Sequence, residues 1–247
     1  MDRYTAFASV YDVMQYDVDY ERWHQLILSK IDTYAHGARN LMELACGTGT
    51  LGILLSKSGL IVEGLDLSEE MLTLAQKKAY EAGVKMRFYH QDMVTFNTRK
   101  KYDVICCMCD GLNYVIELEE LEAVFDNVQK HLNPNGLFIF DFSSHYKLSE
   151  VIGNHTFAET FDDEAYIWEN AYEEEESILE FTLTLFKKEG SSYVRYEEEH
   201  VQRAYQIDEI ESLISERFDV LEIVDGDDFS KLSKTSQRVG FIVKMKE

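Results

Sequence analysis

The fold is decided by one stretch, Leu-Met-Glu-Leu-Ala-Cys-Gly-Thr-Gly-Thr-Leu-Gly at residues 41–52. Its first four residues form the short apolar run of a buried strand, and the pattern at 50–58 predicts a helix. Between them, Gly47, Gly49 and Gly52 match the G-x-G-x-x-G pattern of loops that approach a nucleotide closely. Strand, glycine loop and helix in this order predict a ligand site at the carboxyl end of a buried strand.

The alternation of strands and helices continues beyond this stretch. Further strands are predicted over residues 60–65, 84–90, 102–107 and 137–142. Helices are predicted after the N-cap Ser68 and over 117–131, and a turn over 133–136. Strands that alternate with helices of this length imply right-handed crossovers and a parallel sheet covered on both faces.

The pattern changes after the fifth strand. From about residue 156 to 205, apolar and acidic residues alternate, which predicts antiparallel strands with no helix between them. Helical patterning resumes at Asp208, a predicted N-cap with Glu211 three residues on. Two last strands are predicted over 218–224 and 239–245, paired antiparallel at one sheet edge.

We therefore expect an α/β, Rossmann-like fold. It comprises a seven-stranded, mostly parallel sheet with an antiparallel last strand, plus an inserted antiparallel β-meander. The expected main domain is formed by residues 1–150 and 208–247, and the insert by residues 151–207.

Composition excludes several classes of partner. Asp and Glu total 46 against 24 Lys and Arg, a net charge of −22. Such a surface repels phosphate backbones and anionic lipid, so we expect neither a nucleic-acid nor a membrane partner. The chain has no apolar run of transmembrane length and no secretory pattern, and its four cysteines lack zinc-site spacing. We expect a cytoplasmic protein with reduced thiols and no metal; its oligomeric state stays open, a homodimer included.

Two acidic residues indicate which ligand suits the glycine loop. Asp66 closes the second strand, where a carboxylate can hold a ribose diol. Glu43, at the carboxyl end of the first strand, would repel a pyrophosphate and attract a positively charged ligand. S-adenosylmethionine has a ribose, an ammonium and a sulfonium but no phosphate, so it suits the loop better than NAD. An NAD-type oxidoreductase remains the alternative, although the second βαβ half that a dinucleotide needs is missing.

Three motifs in order resemble those of class I S-adenosylmethionine-dependent methyltransferases. They are Glu-Leu-Ala-Cys-Gly-Thr-Gly at 43–49, Leu-Asp-Leu-Ser at 65–68 with Met71 following, and Gln-Asp-Met at 91–93. Residues 102–105 resemble the family's fourth strand. The family often has glycine in place of Ala45, where a methyl group is tolerated.

The resemblance implies that the chain binds S-adenosylmethionine and methylates a small molecule. It implies that Asp66 takes both ribose hydroxyls, that Asp92 meets the adenine amino group, and that Met93 offers its backbone to the adenine. The implied cofactor-binding set is Glu43, Ala45, Cys46, Gly47, Gly49, Asp66, Leu67, Met71, Asp92, Met93 and Cys109. A protein that binds this cofactor without catalysis is a third hypothesis.

Aromatic residues near the amino terminus extend the resemblance to the branch with glycine N-methyltransferase and amino-sugar N,N-dimethyltransferases. They are Tyr4, Phe7, Tyr11, Tyr20 and Trp23. In that branch an N-terminal segment covers the cofactor and a β-rich insert caps the acceptor site. The alternative is that these aromatics form a hydrophobic plug against the sheet.

Methyl transfer from a sulfonium needs positioning of the acceptor more than it needs a reactive side chain. If the acceptor must lose a proton, a base is required. The candidate catalytic residues are Asp110, His145 and Tyr11. Cys46 is expected to line the site with its backbone and not to act as a nucleophile. We interpret the acidic runs of the insert either as solvated edges of its strands or as groups that attract a cationic acceptor.

Overall fold

A computed structural model describes Tyr11, Gln15 and residues 18–246. Its strands are, in chain order, β1 Asn40–Leu44, β2 Ile61–Asp66, β3 Arg87–His90, β4 Tyr102–Cys107, β5 Leu132–Ser143, β6 Thr156–Thr160, β7 Glu164–Glu173, β8 Ile178–Glu189, β9 Ser192–Arg203, β10 Phe218–Asp225 and β11 Arg238–Met245. The α-helices are α1 Tyr20–Tyr34, α2 Thr50–Lys57, α3 Glu69–Glu81, α4 Leu118–His131 and α5 Ile207–Ile214. The expectations for Tyr4 and Phe7 lie outside the described residues.

The predicted sheet is confirmed. Seven strands pair in the order β10-β11-β5-β4-β1-β2-β3. All pairs formed among the five strands from β1 to β5 are parallel. Strand β11 is antiparallel to both of its neighbours, β5 and β10. The carboxyl ends of β1, β2, β4 and β5 therefore meet at one edge of the sheet, where ligands of open α/β sheets bind.

Alternate residues of the central strands feed two cores, one on each face of the sheet. Met42 and Ile105 pack with Phe138 and with apolar residues of α4 and α5. Leu41 and Val104 pack on the opposite face with apolar residues of α1 and α2. Burial on both faces explains why these strands have continuous apolar runs, and it holds the glycine loop between fixed neighbours.

The inserted β-meander is also confirmed. Strands β6, β7, β8 and β9 form a separate antiparallel sheet in that order. The chain enters it from β5 through a π-helical turn at Lys147–Ile152, which the sequence did not predict. It leaves toward α5, and between β9 and α5 the hydroxyl of Tyr205 donates a hydrogen bond to the carbonyl oxygen of Val115, while Asn113 donates to the carbonyl oxygen of Arg203 at the end of β9. The insert therefore lies against the carboxyl edge of the main sheet.

Several boundaries differ from the prediction. The N-cap of α5 is Gln206, whose N–H donates to Glu209 Oε2 at 2.8 Å, so the predicted cap Asp208 with Glu211 is wrong. Strand β5 begins at Leu132, earlier than predicted, but residues 133–136 pair with neither β4 nor β11, and Asn135 has a φ of 62°. The predicted turn at 133–136 is therefore present as a bulge within β5, as the local composition of these residues favours.

Substitution of Gly64 by alanine should destabilise the protein. A Cβ there would lie 2.8 Å from Cys46 Sγ and 2.9 Å from Phe88 Cδ1, both held in packed surroundings. Overpacking of this kind costs about 1–3 kcal/mol, which urea unfolding would measure. The control Ala158→Val enlarges an exposed residue of β6 and should change the unfolding free energy by less than about 0.5 kcal/mol. Equal effects of the two substitutions would contradict the packing described for β2.

Candidate functional site

The glycine loop connects β1 to α2 through backbone conformations that residues other than glycine rarely adopt. Ala45, Gly47 and Gly49 have φ values of 49°, 52° and 74°, in the left-handed region that favours glycine. The Cys46 N–H donates to the carbonyl oxygen of Leu65 at 2.9 Å, and the Gly49 N–H to that of Cys46 at 2.8 Å. These bonds hold the loop against the end of β2.

Asp66 fixes the loop through its carboxylate. Its Oδ2 accepts from the Gly47 N–H at 2.8 Å and its Oδ1 from the Ser68 N–H at 2.9 Å. Burial raises the pKa of Asp66, and these backbone hydrogen bonds oppose that rise. Asp66 thus joins the loop after β1 to the first turn of α3, with its carboxylate at the shared edge.

Glu43 lies beneath the same loop, almost entirely out of water. It is 5% exposed, and within the described residues its Oε2 has no hydrogen-bond partner. Desolvation by burial raises the pKa of Glu43 to about 8; a backbone hydrogen bond from Gly52 lowers it and the charge of Asp66 raises it further. A Cβ at Gly52 would collide with this carboxylate, so glycine is required above it. The site contains an acid that a nearby positive charge would ionise.

A cavity of about 20 Å³, room for about one water, separates the loop from the N-terminal elements. Among its lining residues are Tyr11, Trp23, Glu43, Cys46 and Cys109. Tyr11 also approaches the loop from outside, because a Cβ at Gly47 would lie 3.8 Å from its Cε1. Tyr11 therefore lies beside the glycine loop.

The thiols near the loop are poor nucleophiles. Burial raises the pKa of Cys46 well above its usual range and that of Cys109 to about 12. The Tyr11 hydroxyl lies 3.9 Å from Cys109 Sγ, and burial raises the pKa of Tyr11 as well. These groups stay protonated near neutral pH, so they can line or orient a ligand without attacking it.

Asp110 follows β4 and is held by a cation that the sequence did not point to. Arg238 Nη1 lies 2.5 Å from Asp110 Oδ1 and 3.2 Å from Oδ1 of the fully buried Asp141. Despite burial, the positive charge of Arg238 keeps the pKa of Asp110 well below its usual range, whereas burial raises that of Asp141 to about 6. So strongly stabilised a carboxylate is a weak base, and the geometry gives Asp110 a positioning role.

His145 does not join the loop residues but contacts the insert. Its Nε2 lies 3.1 Å from the hydroxyl of Tyr172 on β7, and its Nδ1 lies 3.4 Å from Ser149 Oγ. Asn113, in the segment after β4, donates to the carbonyl oxygens of Ser143 and Arg203 at 3.1 and 2.8 Å. Both side chains connect the main sheet to the insert.

The residues of the expected cofactor set from Leu67 to Met93 lie after β2 and β3, and Met71 among them lies in α3. Leu67 is exposed, and its carbonyl oxygen lies 2.8 Å from His90 Nε2. Asp92 accepts from the Val94 N–H at 2.8 Å, and Met93 is half-buried against the core. Met71 is buried in the first turn of α3, where its N–H donates to the N-cap Ser68 at 3.2 Å. Leu67 and Asp92 are thus the exposed members of this group.

Sequence reasoning missed two residues that shape the site, Arg238 and Lys78. Arg238 stacks over the ring of Trp23, 5.2 Å from guanidinium carbon to ring centroid, and Trp23 Nε1 donates to the carbonyl oxygen of Gly226 at 3.0 Å. Lys78 donates to Thr48 Oγ1 at 2.9 Å and to Thr50 Oγ1 at 2.6 Å, which steadies the loop. A lone Arg or Lys far along the chain carries no local sequence signal of such contacts.

Comparison with known proteins identifies the family. Residues 41–136 match a sequence model described as a methyltransferase domain. A protein of Geobacillus sp. (strain WCH70), provisionally named a methyltransferase, is 33% identical over 98% of this chain and 99% of its own length. The crystal structure of an S-adenosylmethionine-dependent methyltransferase from Clostridium acetobutylicum ATCC 824 matches with a TM-score of 0.91 and 35% identity over 100% of both chains. This chain belongs to the S-adenosylmethionine-dependent methyltransferases.

Membership excludes the NAD-type alternative for this methyltransferase and confirms the expected cofactor. A dTDP-3-amino-3,6-dideoxy-alpha-D-glucopyranose N,N-dimethyltransferase of Streptomyces fradiae is 27% identical over 54% of this chain and 52% of its own length. Within the described part of the chain, none of the helices has the length and apolar character that crossing a bilayer requires.

The loop of this methyltransferase suits its cofactor on structural grounds. S-adenosylmethionine supplies a methyl group on a positively charged sulfur. Glu43 has a buried oxygen without a hydrogen bond, and the glycines above it leave the backbone bare. Because a positive charge nearby would relieve the desolvation of that carboxylate, the residues fit a cationic ligand and not a pyrophosphate.

The variant Glu43→Gln should gain stability relative to wild type as the pH rises. The pKa of Glu43 is about 8 in the folded protein against an ordinary value of 4.5. The stabilisation that the protonated acid provides is present below its unfolded-state pKa and is lost as the pH rises to about 8. The difference in unfolding free energy between variant and wild type should therefore grow by up to about 4 kcal/mol between about pH 5 and pH 8.5.

Urea unfolding across that pH range measures the difference. The control Glu180→Gln changes an exposed acid on β8 and should show no such trend. Parallel pH curves for Glu43→Gln and wild type would contradict the buried, raised-pKa state of Glu43.

Proposed function

We propose that this methyltransferase transfers a methyl group, by in-line displacement, to a nitrogen or oxygen of a small-molecule acceptor. The observation that carries the proposal is the buried Glu43 carboxylate beneath a bare glycine loop, next to a β-sheet insert at the same sheet edge. Nucleic acids and membranes are not its substrates, in keeping with the net charge of −22.

We assign cofactor-binding roles to the predicted residues from their positions around the glycine loop and the strand ends. Asp66 holds the ribose hydroxyls with the carboxylate lone pairs left beside its two backbone bonds. Leu67, Asp92 and Met93 take the adenine end, and the backbone from Ala45 to Gly49 with Cys109 lines the methionine end. Met71 serves indirectly, because it is buried in the turn that follows Asp66.

The proposed acceptor site lies between the strand ends and the insert. Residues 151–207 act as a cap on a main domain of residues 1–150 and 208–247. Asn113 and His145 provide contacts between cap and strand ends. Such a cap excludes water and holds the acceptor in line, and positioning of this kind contributes up to about 7–11 kcal/mol to lowering the barrier.

Methyl transfer to a nitrogen that has a free lone pair is proposed to rely on positioning without a dedicated base. Asp110 is too strongly stabilised by Arg238 to accept a proton readily, and Asp141 is fully buried. Tyr11, kept protonated by burial, can donate a hydrogen bond that orients a ligand at Cys109. His145, on the cap side, is the candidate to take a proton if the acceptor is a hydroxyl.

Calorimetric titration with S-adenosylhomocysteine tests the cofactor assignment. Wild type should bind it, and Asp66→Asn should bind at least about tenfold more weakly, because hydrogen bonds to a charged carboxylate are lost. The control Asp219→Asn alters an exposed acid of β10 and should bind like wild type. Melting curves of both variants verify that they are folded.

A turnover assay tests the acceptor class. Production of S-adenosylhomocysteine should rise with members of a panel of small amines, phenols and hydroxy acids, and not with RNA, DNA or protein. Methylation of a macromolecule in place of the panel, or unchanged cofactor affinity in Asp66→Asn, would overturn the proposal.

A further inference from the structure

One face of the inserted sheet is turned toward the main domain, and we call it the inner face. Cross-strand pairing places Trp168, Leu183 and Glu198 in one row of this face, and Asn170, Phe181 and His200 in the next. Alternate residues of a strand share a face, so both rows point the same way. Trp168 and Phe181 pack against the buried pair Leu148 and Ile152 of the π-helical turn, which orients the face.

The inner face concentrates buried polar atoms without partners. Within the described residues, Trp168 Nε1, Asn170 Oδ1 and both carboxylate oxygens of Glu198 are buried and make no hydrogen bond. Such atoms are few in native proteins, and each one requires an explanation. Here they include one donor and three acceptors within two adjacent rows. This grouping indicates a surface made to bind a polar ligand.

Glu198 is the least expected member of this face. It is 7% exposed, and its neighbour across the sheet is the apolar Leu183. His200 Nε2 lies 3.4 Å from its Oε2, an ion pair only while the imidazole is protonated, and the His200 ring is stacked on Phe181 with centroids 4.8 Å apart. Tyr114, from the segment after β4, meets the His200 ring at 6.0 Å. A carboxylate in such apolar and aromatic surroundings is stabilised by a donor that carries positive charge.

The chemistry of the face specifies its ligand. The carboxylate requires N–H or O–H donors, Trp168 Nε1 requires an acceptor, and aromatic ring faces attract cations. A protonated amine on an apolar body that also bears an oxygen meets all three needs. A neutral polyol would meet the hydrogen bonds but would supply no positive charge to the buried carboxylate.

We propose that Glu198 on the inner face binds a protonated amino group of the methyl acceptor, with Trp168 donating to an acceptor oxygen. The inference rests on the proposed function and adds a substrate class to it. The nitrogen held by Glu198 is not the atom methylated, because an ammonium has no lone pair to attack a methyl group. The acceptor therefore carries two polar centres, a cationic amine for recognition and a separate nucleophile.

The two tryptophans of the chain provide a direct readout. In protein labelled with ¹⁵N-tryptophan, Trp23 and Trp168 give separate indole N–H signals, assigned with Trp168→Phe. Tyramine and tyrosol serve as matched probes, since they differ only by an amino group in place of a hydroxyl. With S-adenosylhomocysteine present, tyramine should shift the Trp168 signal and bind at least about tenfold more tightly than tyrosol.

Neighbouring glutamates supply matched variants. Glu198→Gln should abolish the preference for tyramine, whereas Glu199→Gln, on the exposed face of the same strand, should retain it. Without ligand, Glu198→Gln should also melt at a higher temperature than wild type, because the substitution removes a buried charge that destabilises the unliganded protein. Glu199→Gln should melt like wild type.

Equal binding of the two probes, no shift of Trp168, or a retained preference in Glu198→Gln would overturn the inference. The comparison of tyramine with tyrosol in the wild-type protein needs no variant. The inference can therefore be contradicted even if Glu198→Gln does not fold. S-adenosylhomocysteine binding is measured separately. If it binds and the probes are not distinguished, only this inference fails; if it does not bind, the proposed function fails.

Discussion

A carboxylate almost removed from water beneath a tight loop is the constraint on which the site depends. Glu43 is fixed by β1, a central strand buried on both faces, so it cannot turn toward solvent. Its presence requires glycine at position 52, and the left-handed turns at Gly47 and Gly49 keep the loop close above it. Close backbone and an uncompensated acid together favour a positive ligand without phosphate. The same geometry would disfavour a dinucleotide, whose fingerprint the loop otherwise matches.

A second constraint is the buried ion cluster around Arg238. This residue begins β11, yet it meets Asp110 after β4 and Asp141 in β5, and its guanidinium covers Trp23 of α1. One cation thereby joins three strands and the N-terminal helix at the edge where the ligand is expected. Loss of one partner would leave buried charge uncompensated, which is strongly destabilising. Asp110 therefore has a positioning role in the site and not an acid–base role.

The features that could be predicted from the sequence are those that a local residue pattern determines. The strand–loop–helix at 41–58, the carboxylate at Asp66 and the alternating insert each have a signal within a few residues. The sequence did not predict contacts that depend on register and long-range pairing, such as Arg238 with Asp110 or the grouping of Glu198 with Trp168. Candidate bases could be named from their places at strand ends, but their ability to accept a proton depends on burial and neighbours that only the fold reveals.

Proton release on cofactor binding tests the central claim most directly. With a pKa of about 8, Glu43 is protonated in roughly three quarters of the molecules at about pH 7.5. A cation bound beside it would lower that pKa, so binding of S-adenosylmethionine should release up to about 0.7 proton. Calorimetry in buffers of different ionisation enthalpy measures this number, and Glu43→Gln should release almost none. Equal proton release by wild type and variant would contradict the account.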